Sequence, residues 1–582
     1  MQRSLKVGYA ILIIGLVILA AGLGAYVTTP PSKGRLVIDW YYESSGHYPE
    51  SASAAQMYKA QLERTGLITV NLHGIDYASY YSPYTEQGLM QVYVWGWTID
   101  YSDPDSSLYA LLHSQGGSWL NDGYNSSEMD HLLDSARTTL DPTQRAELYA
   151  QVQDLSFKDA PIIPVFQGSG NYWVVTKSGI SGVAFDISAQ DQHWSMITPP
   201  QGKDTLVIGT TDSIATNIDP AEDFGSPLDI NLIFSLGAPL VSLKPGTAGA
   251  PGDFTPGLAT DWSSSPDGLT WTFNLRQGVK FSDGTEFTAE AYKYSWDRAI
   301  GLATPYGAQV TYGFGDTVAS VEAPSKYQLV FNLKNVCPWF LQLVAMDVSV
   351  PVNPKYAPVD SVVNYVDGNA RASHPNDLGP YMLTEWIRTG GKDAEMKLDA
   401  NPNYYAAAEG IPKAKHIIVR MYADSTALAL AMKSGDIDMA SRVLGPTDLR
   451  DMESDPNLKV WKVDSPFVQY IVFNERMPPF DNAKARQAIS AALNRQELCD
   501  TVLLGQCKPA YSLLPVGMQY HKDVFNALGD GNINLAVSTF QELGYSQTAE
   551  NPMLQTYLAM AVIGAVVAVV GIAMSLRRTS PR

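Results

Sequence analysis

The chain has 582 residues, of which 59 are Asp or Glu and 40 are Lys or Arg, for a formal charge of −19 at neutral pH. That balance excludes a nucleic-acid surface, which needs clustered lysine and arginine. With 45% hydrophobic and 17% charged residues the chain is neither disordered nor of low complexity, and its length allows several buried cores, hence more than one domain.

In chain order, Arg3 and Lys6 precede an apolar run over 7–27, about the length that spans a bilayer, so 1–27 reads as a transmembrane anchor or a signal. No A-x-A site stands out after it and no cysteine follows to take a lipid, which favours the anchor. Residues 28–34, TTPPSKG, form a linker. A strand is expected over 35–40, a helix over 52–65 from the spacing of Ala55, Tyr58 and Leu62 with Gly66 as its stop, and a strand over 68–72. Alternating strand and helix make this piece α/β. Tyr77, Tyr80, Tyr81 and Tyr84 then fall in a loop or short helix.

Residues 92–105, VYVWGWTIDYSDPD, concentrate the candidate chemistry. Val92, Val94 and Gly96 alternate with Tyr93, Trp95 and Trp97, the period of a strand, and Ser102-Asp103-Pro104-Asp105 breaks it as a turn would. Asp100 is thereby placed at the strand's exit beside aromatic rings, where a carboxylate can pair with a cationic group of a ligand and costs stability without a partner. The residues alone leave the plainer role open, since Asp100, Asp103 or Asp105 could each simply cap the turn.

Helices are expected over 129–136 and 143–157, the second opened by Asp141-Pro142, followed by an extended apolar run over 160–165. After a loop at 198–202 comes a strand at 206–211, and residues 267–284 read as a β-hairpin with Asp-Gly turns leading into a helix. Cys499 and Cys507 are close enough for a small-loop disulfide, two packed thiols being the alternative, and Cys337 reads as a buried apolar side chain. Residues 557–576 form a second apolar segment followed by Arg577, Arg578 and Arg582. Basic residues flank the outer ends of both segments, so both termini are expected in the cytoplasm and the rest outside. There is no P-loop, dinucleotide fingerprint, H-E-x-x-H or G-x-S-x-G motif, so no cofactor, metal or nucleotide is expected.

Gly96-Trp97-Thr98-Ile99-Asp100-Tyr101-Ser102-Asp103-Pro104 resembles a segment of the dipeptide- and oligopeptide-binding proteins that feed ABC importers, the family 5 extracellular solute-binding proteins. The block from Pro256 through Trp262, Asp267-Gly268-Leu269-Thr270-Trp271 and Gly278-Val279-Lys280-Phe281 to Trp296 is similar to the family signature almost residue for residue. Residues 123–165 resemble the last third of a family member, yet precede the stretch from Asp219-Pro220 to Tyr545-Ser546, which is similar to the first two-thirds. This order implies a circular permutation, a fused or truncated tandem gene being the rival.

The resemblance implies an α/β, two-lobe periplasmic-binding-protein-like (type II) fold with an extra subdomain, circularly permuted and flanked by N- and C-terminal transmembrane helices. Its segments would be 35–167 for the second lobe, 168–202 for return strands and joining loop, 203–240 and 376–464 for the first lobe, 241–375 for the extra subdomain, 465–546 for the rest of the second lobe, 547–556 for a linker and 557–576 for the transmembrane helix. Asp100 would meet a peptide ammonium, with Trp95, Trp97 and Tyr77 lining the pocket, and Val94 and Trp95 stand where some members carry a carboxylate-binding arginine. The implied partners are a peptide, an ABC permease and its ATPase, and the bilayer. A peptide sensor without transport, and an extracellular hydrolase using an acidic pair, are the alternatives.

Overall fold

A computed structural model describes residues 2–28, 33–44, 50–76, 82–115, 120–168, 173–185, 191–212, 214, 218–222, 227–245, 253–302, 304, 313–363, 378–442, 444–463, 465–547 and 552–576. Tyr77, Tyr80, Tyr81, Arg577, Arg578 and Arg582 lie outside the described residues.

A six-stranded mixed sheet draws its strands from both ends of the chain, in the order Lys508–Pro509, Ile162–Gln167, Val468–Phe473, Val92–Trp97, Leu36–Glu43 and Ile68–Ile75. Leu36–Glu43 and Ile68–Ile75 run parallel because the helix Ser51–Glu63 crosses between them, burying Ala54, Ala55, Tyr58 and Leu62 at helical spacing. Val92–Trp97 pairs parallel with Leu36–Glu43 on one side and antiparallel with Val468–Phe473 on the other. All six residues of the interior strand Val468–Phe473 are buried, as a covered sheet requires, and its one amide side chain, Gln469, accepts a hydrogen bond from the Tyr58 hydroxyl (2.7 Å). Gly96 follows from the same packing: a Cβ there would stand 2.2 Å from the ring of Phe467.

A seven-stranded sheet runs Tyr381–Thr389, Lys392–Ala400, His416–Met421, Thr205–Thr210, Met439–Ala440, Val174–Lys177 and Leu458–Trp461. A four-stranded antiparallel sheet, Val318–Ser325, Gln328–Leu333, Thr270–Leu275 and Ala259–Ser264, has its own aromatic core of Phe273, Phe331, Phe340 and Trp296. The Asp-Gly turn expected between strands is present, with Gly268 at φ +71. The chain passes between the six- and seven-stranded sheets at two neighbouring places, where Gly168 N donates to Phe467 O (2.8 Å) and Trp173 Nε1 to Val463 O (3.3 Å).

The two ends of this body meet. Lys33 N donates to Gly544 O (2.9 Å) and Ser546 N to Gly34 O (3.0 Å). Beyond them stand the helices Gln2–Thr28 and Pro552–Leu576, each long and apolar enough to cross a membrane. They pack antiparallel through small residues seven apart: Gly8 lies against Ser575, Gly15 against Ala568 and Gly22 against Ala561. A Cβ at Gly15 would be 2.3 Å from the Ala568 nitrogen, so the backbones all but touch, as small-residue interfaces permit. Cys499 and Cys507 form a disulfide with Cα atoms 5.5 Å apart, and Cys337 is a buried free thiol.

One expectation is corrected here. Ser102-Asp103-Pro104-Asp105, expected as a turn, leads directly into a helix, Pro104–Leu112, whose N-cap is Asp103 with proline in the first turn. Both acids are buried because arginines from neighbouring helices reach them. Arg145 grips Asp103 with two bonds of 2.7 Å, and Arg137 Nε lies 3.0 Å from Asp105 Oδ1.

Candidate functional site

Asp100 is held between two cores. Ile99 before it is buried in the core of the six-stranded sheet, and Tyr101 after it in the core of the four-stranded sheet. The backbone is anchored on both sides of Asp100 and tied down at the residue itself, whose N donates to Ser106 Oγ (2.9 Å) in the helix behind. Tyr101 stacks on Trp339 with centroids 5.9 Å apart, its hydroxyl donates to Asp105 Oδ2 (2.7 Å), and Gln342 Nε2 donates to Ser102 O (3.1 Å). The chain thus spends one residue on each core and leaves the carboxylate between them.

That carboxylate lines an open cleft, whose empty space comes to about 1200 Å³ with the adjoining solvent included. The rest of the lining comes from residues 191–195, from the helix Pro227–Leu236 and the turn after it, and from residues 342–347 and 404–405 among others. Phe234, Phe254, Trp194, Tyr404 and Tyr405 supply aromatic surface, and Asn231, Ser235 and Gln342 supply polar groups. An aromatic cavity with a few convergent polar groups is the usual form of a small-molecule site. Burial, together with the charge of Asp347, pushes the Asp100 carboxyl up to about 7. Burial also raises Asp105, to about 6, against the pull of Arg137. Asp191 and His193 form a pair within the lining, Nδ1 to Oδ2 3.1 Å, and His193 N donates to Asp191 Oδ1 (2.8 Å).

Of the residues singled out in the sequence, Asp100 is in the cleft. Trp95 and Trp97 are not among its described lining; they are half-buried against the core of the six-stranded sheet, on the face of Val92–Trp97 shared with buried Tyr93. Period two says that both share a face but not which face meets a ligand, and here the rings in the cleft come from other segments. Tyr77 lies outside the described residues. Asp347, Asp191, His193, Tyr404 and Tyr405 were not singled out as site residues. Asp347 interrupts an apolar run, residues 340–352, and a lone acid in such a run is the signal that could have marked it.

The family model described as "Bacterial extracellular solute-binding proteins, family 5 Middle" matches residues 25–119 and 253–562. The chain belongs to this family. Its members are binding proteins rather than enzymes, and the α/β architecture above is that of an extracellular solute-binding protein. Among curated relatives, the glutathione-binding protein GsiB of Escherichia coli O1:K1 / APEC is 30% identical over 264 residues, 45% of this chain and 48% of that protein. GsiB of Salmonella typhimurium shows the same identity and coverage. This chain therefore spans about half the length of the curated relatives it matches. Among solved structures, a dipeptide-binding protein from Pseudoalteromonas sp. SM9913 in complex with Met-Leu aligns with a TM-score of 0.48 and 20% identity, over 62% of this chain and 74% of that one. Haemophilus influenzae OppA in complex with RPPGFSPFR aligns with a TM-score of 0.44 and 22% identity, over 64% and 74%.

Proposed function

We propose that this family 5 protein is a membrane-anchored extracellular receptor that captures peptides between two closing lobes and delivers them to an ABC permease. The observation that carries the reading is Asp100, a half-buried carboxylate between two cores, facing an aromatic cleft where a cationic ligand group could form a charge-assisted hydrogen bond with it. The lobes are the six-stranded sheet with its helices and the seven-stranded sheet with its helices, the four-stranded sheet being the extra subdomain. Two adjacent chain passages between the lobes support a hinge, the arrangement in which a clamp closes on its ligand.

The apolar helices at either end support anchoring, and basic residues beyond them support cytoplasmic termini. The joining of residues 33–34 to 544–546, with one sheet built from both chain ends, supports a circular permutation.

The test compares a peptide with its N-acetylated form by calorimetry on the full chain, after mass spectrometry of whatever solute co-purifies. The free peptide should bind and the acetylated one should lose most of the affinity. Equal binding of both would mean that no ammonium is read, and the peptide assignment would fall with it.

A further inference from the structure

A short ring of chain stands beside the two passages between the sheets. The disulfide Cys499–Cys507 closes residues 499–507 at the end of the helix Arg495–Thr501, where Gly505 N donates to Cys499 O (2.9 Å) and Gln506 N to Leu503 O (2.9 Å). Leu504 and Gly505 lie in succession in the left-handed region, at φ +51 and +80, which a leucine adopts only where its surroundings impose it. From Cys507 the chain runs straight into Lys508–Pro509, the edge strand paired with Gln167 and Phe166, the last two residues before the passage at Gly168. Antiparallel pairing puts Gln506 past the end of that strand, level with the passage itself. There its side chain leaves the six-stranded half. Gln506 Nε2 donates to Pro446 O (2.8 Å), on the first residue of the helix Pro446–Glu453, which packs with the seven-stranded sheet through Leu449 and Met452. Gln506 is buried, so water competes little for this bond.

On the reading above, in which two halves close on a ligand, we propose that the ring is a brace on the hinge, holding the halves in their present relation through Gln506 until a thiol reductant opens it. In that relation the Gln342–Ser102 bond and the Tyr101–Trp339 stack are also made. To open, the protein must give up the Gln506 bond or drag the ring with it, and the disulfide keeps the ring from following. Reduction removes that restraint. Cys499 is fully buried and Cys507 half-buried, so a thiolate attacks the Cys507 sulfur, forming a mixed disulfide as Cys499 leaves and takes up a proton. The second sulfur of a dithiol then displaces Cys507, so two electrons and two protons pass from the dithiol, which ends as a disulfide, to the cysteine pair. The loop at Leu504 is free to leave its left-handed turn, and the halves part more readily. Because apparent affinity scales with the fraction of molecules already in the binding-competent form, the oxidised ring would raise it and reduction would lower it.

The experiment attaches maleimide dyes to Lys484→Cys in the six-stranded half and Leu430→Cys in the seven-stranded half, both exposed positions, and reads single-molecule energy transfer on the full-length protein in detergent. The oxidised parent should show one dominant distance. Dithiothreitol should raise the population at longer distance about 2- to 10-fold, the worth of one net hydrogen bond, and so should Gln506→Met, which keeps the length of the side chain but donates nothing. Pro446→Ala keeps the accepting carbonyl and should match the parent; a shift there as large as that of Gln506→Met would trace the effect to the helix and overturn the role of the bond. A parent unchanged by dithiothreitol overturns the brace and needs no further variant to fold, and a Gln506→Met protein that matches the parent overturns it too. If trialanine still shifts the distance in those cases, the clamp stands without its brace. If one distance persists in every protein, with and without reductant and trialanine, both readings fall.

Discussion

Replacing Asp100 by asparagine should stabilise the empty protein while weakening its hold on a cationic ligand. Burial and the neighbouring Asp347 hold the carboxyl at about 7, against an ordinary value of 3.8. At about 1.4 kcal/mol per unit the shift corresponds to roughly 4 kcal/mol, and the opening of the side chain to the cleft reduces this to about 2 kcal/mol. Because the folded value lies above the unfolded one, the folded chain keeps a proton that the unfolded chain has lost. This contribution to stability is therefore complete below about pH 4, declines as the pH rises to about 7, and is flat above. Asp100→Asn removes the decline, so its advantage over wild type should be absent at pH 4 and about 2 kcal/mol at pH 8. Ligand binding has the opposite sign. A cation needs the ionised carboxylate, so wild-type affinity should rise with pH through about 7. The variant should lose about 2 to 5 kcal/mol of affinity, roughly 30-fold to several thousand-fold. Denaturant unfolding of the full chain at pH 4 to 8, paired with calorimetric titration, measures both. A variant less stable than wild type at pH 8, or one whose stability follows pH as wild type does, would refute this role for Asp100.

Asp103→Asn should keep the helix cap but strand buried Arg145, costing about 3 to 5 kcal/mol in denaturant unfolding; a cost below about 1 kcal/mol would show that the pair is not holding the helix in place. Gly15→Leu should drive the apolar helices apart, so that a cross-link between Gly8→Cys and Ser575→Cys forms readily in the parent and poorly in the variant; unchanged yield would mean that the helices do not meet through these residues. Residues 203–546 expressed alone retain only Val468–Phe473 and Lys508–Pro509 of the six-stranded sheet and should aggregate, whereas a soluble, cooperatively folding fragment would favour a fused gene over a permuted one.

What the sequence made legible was what short-range pattern controls. Period two over residues 92–97, the helical spacing of Ala55, Tyr58 and Leu62, the cap at Asp141-Pro142 and the Asp-Gly turn at Gly268 each depend on neighbours in the chain, and each element formed close to where it was expected. The position of Asp100 was legible because its neighbours Ile99 and Tyr101 tie the loop down on both sides. The roles of Asp103 and Asp105 were not: an aspartate on either side of a proline is found in turns and in first helical turns alike, and only the arrival of Arg145 and Arg137 from elsewhere in the chain makes these two acids part of a core. The second half of the cleft was hidden for the same reason. Asp347, His193 and Tyr405 are far apart in sequence and line one cleft only after the sheets are assembled.

The meeting of residues 33–34 with 544–546 bears on which part of the molecule moves. Both junctions lie on the six-stranded sheet's side, one just before its strand Leu36–Glu43 and the other just after the helix Ile533–Glu542 packed upon it. A body attached to a bilayer through both ends at one spot cannot swivel freely about either attachment. On the anchored reading, the half of the molecule that carries Asp100 is the stationary jaw, fixed in azimuth relative to the membrane, and the seven-stranded half swings against it. Each capture event would then begin and end with the cleft facing the same way, and a permease beside it would meet the loaded receptor in one orientation without having to wait for it to turn.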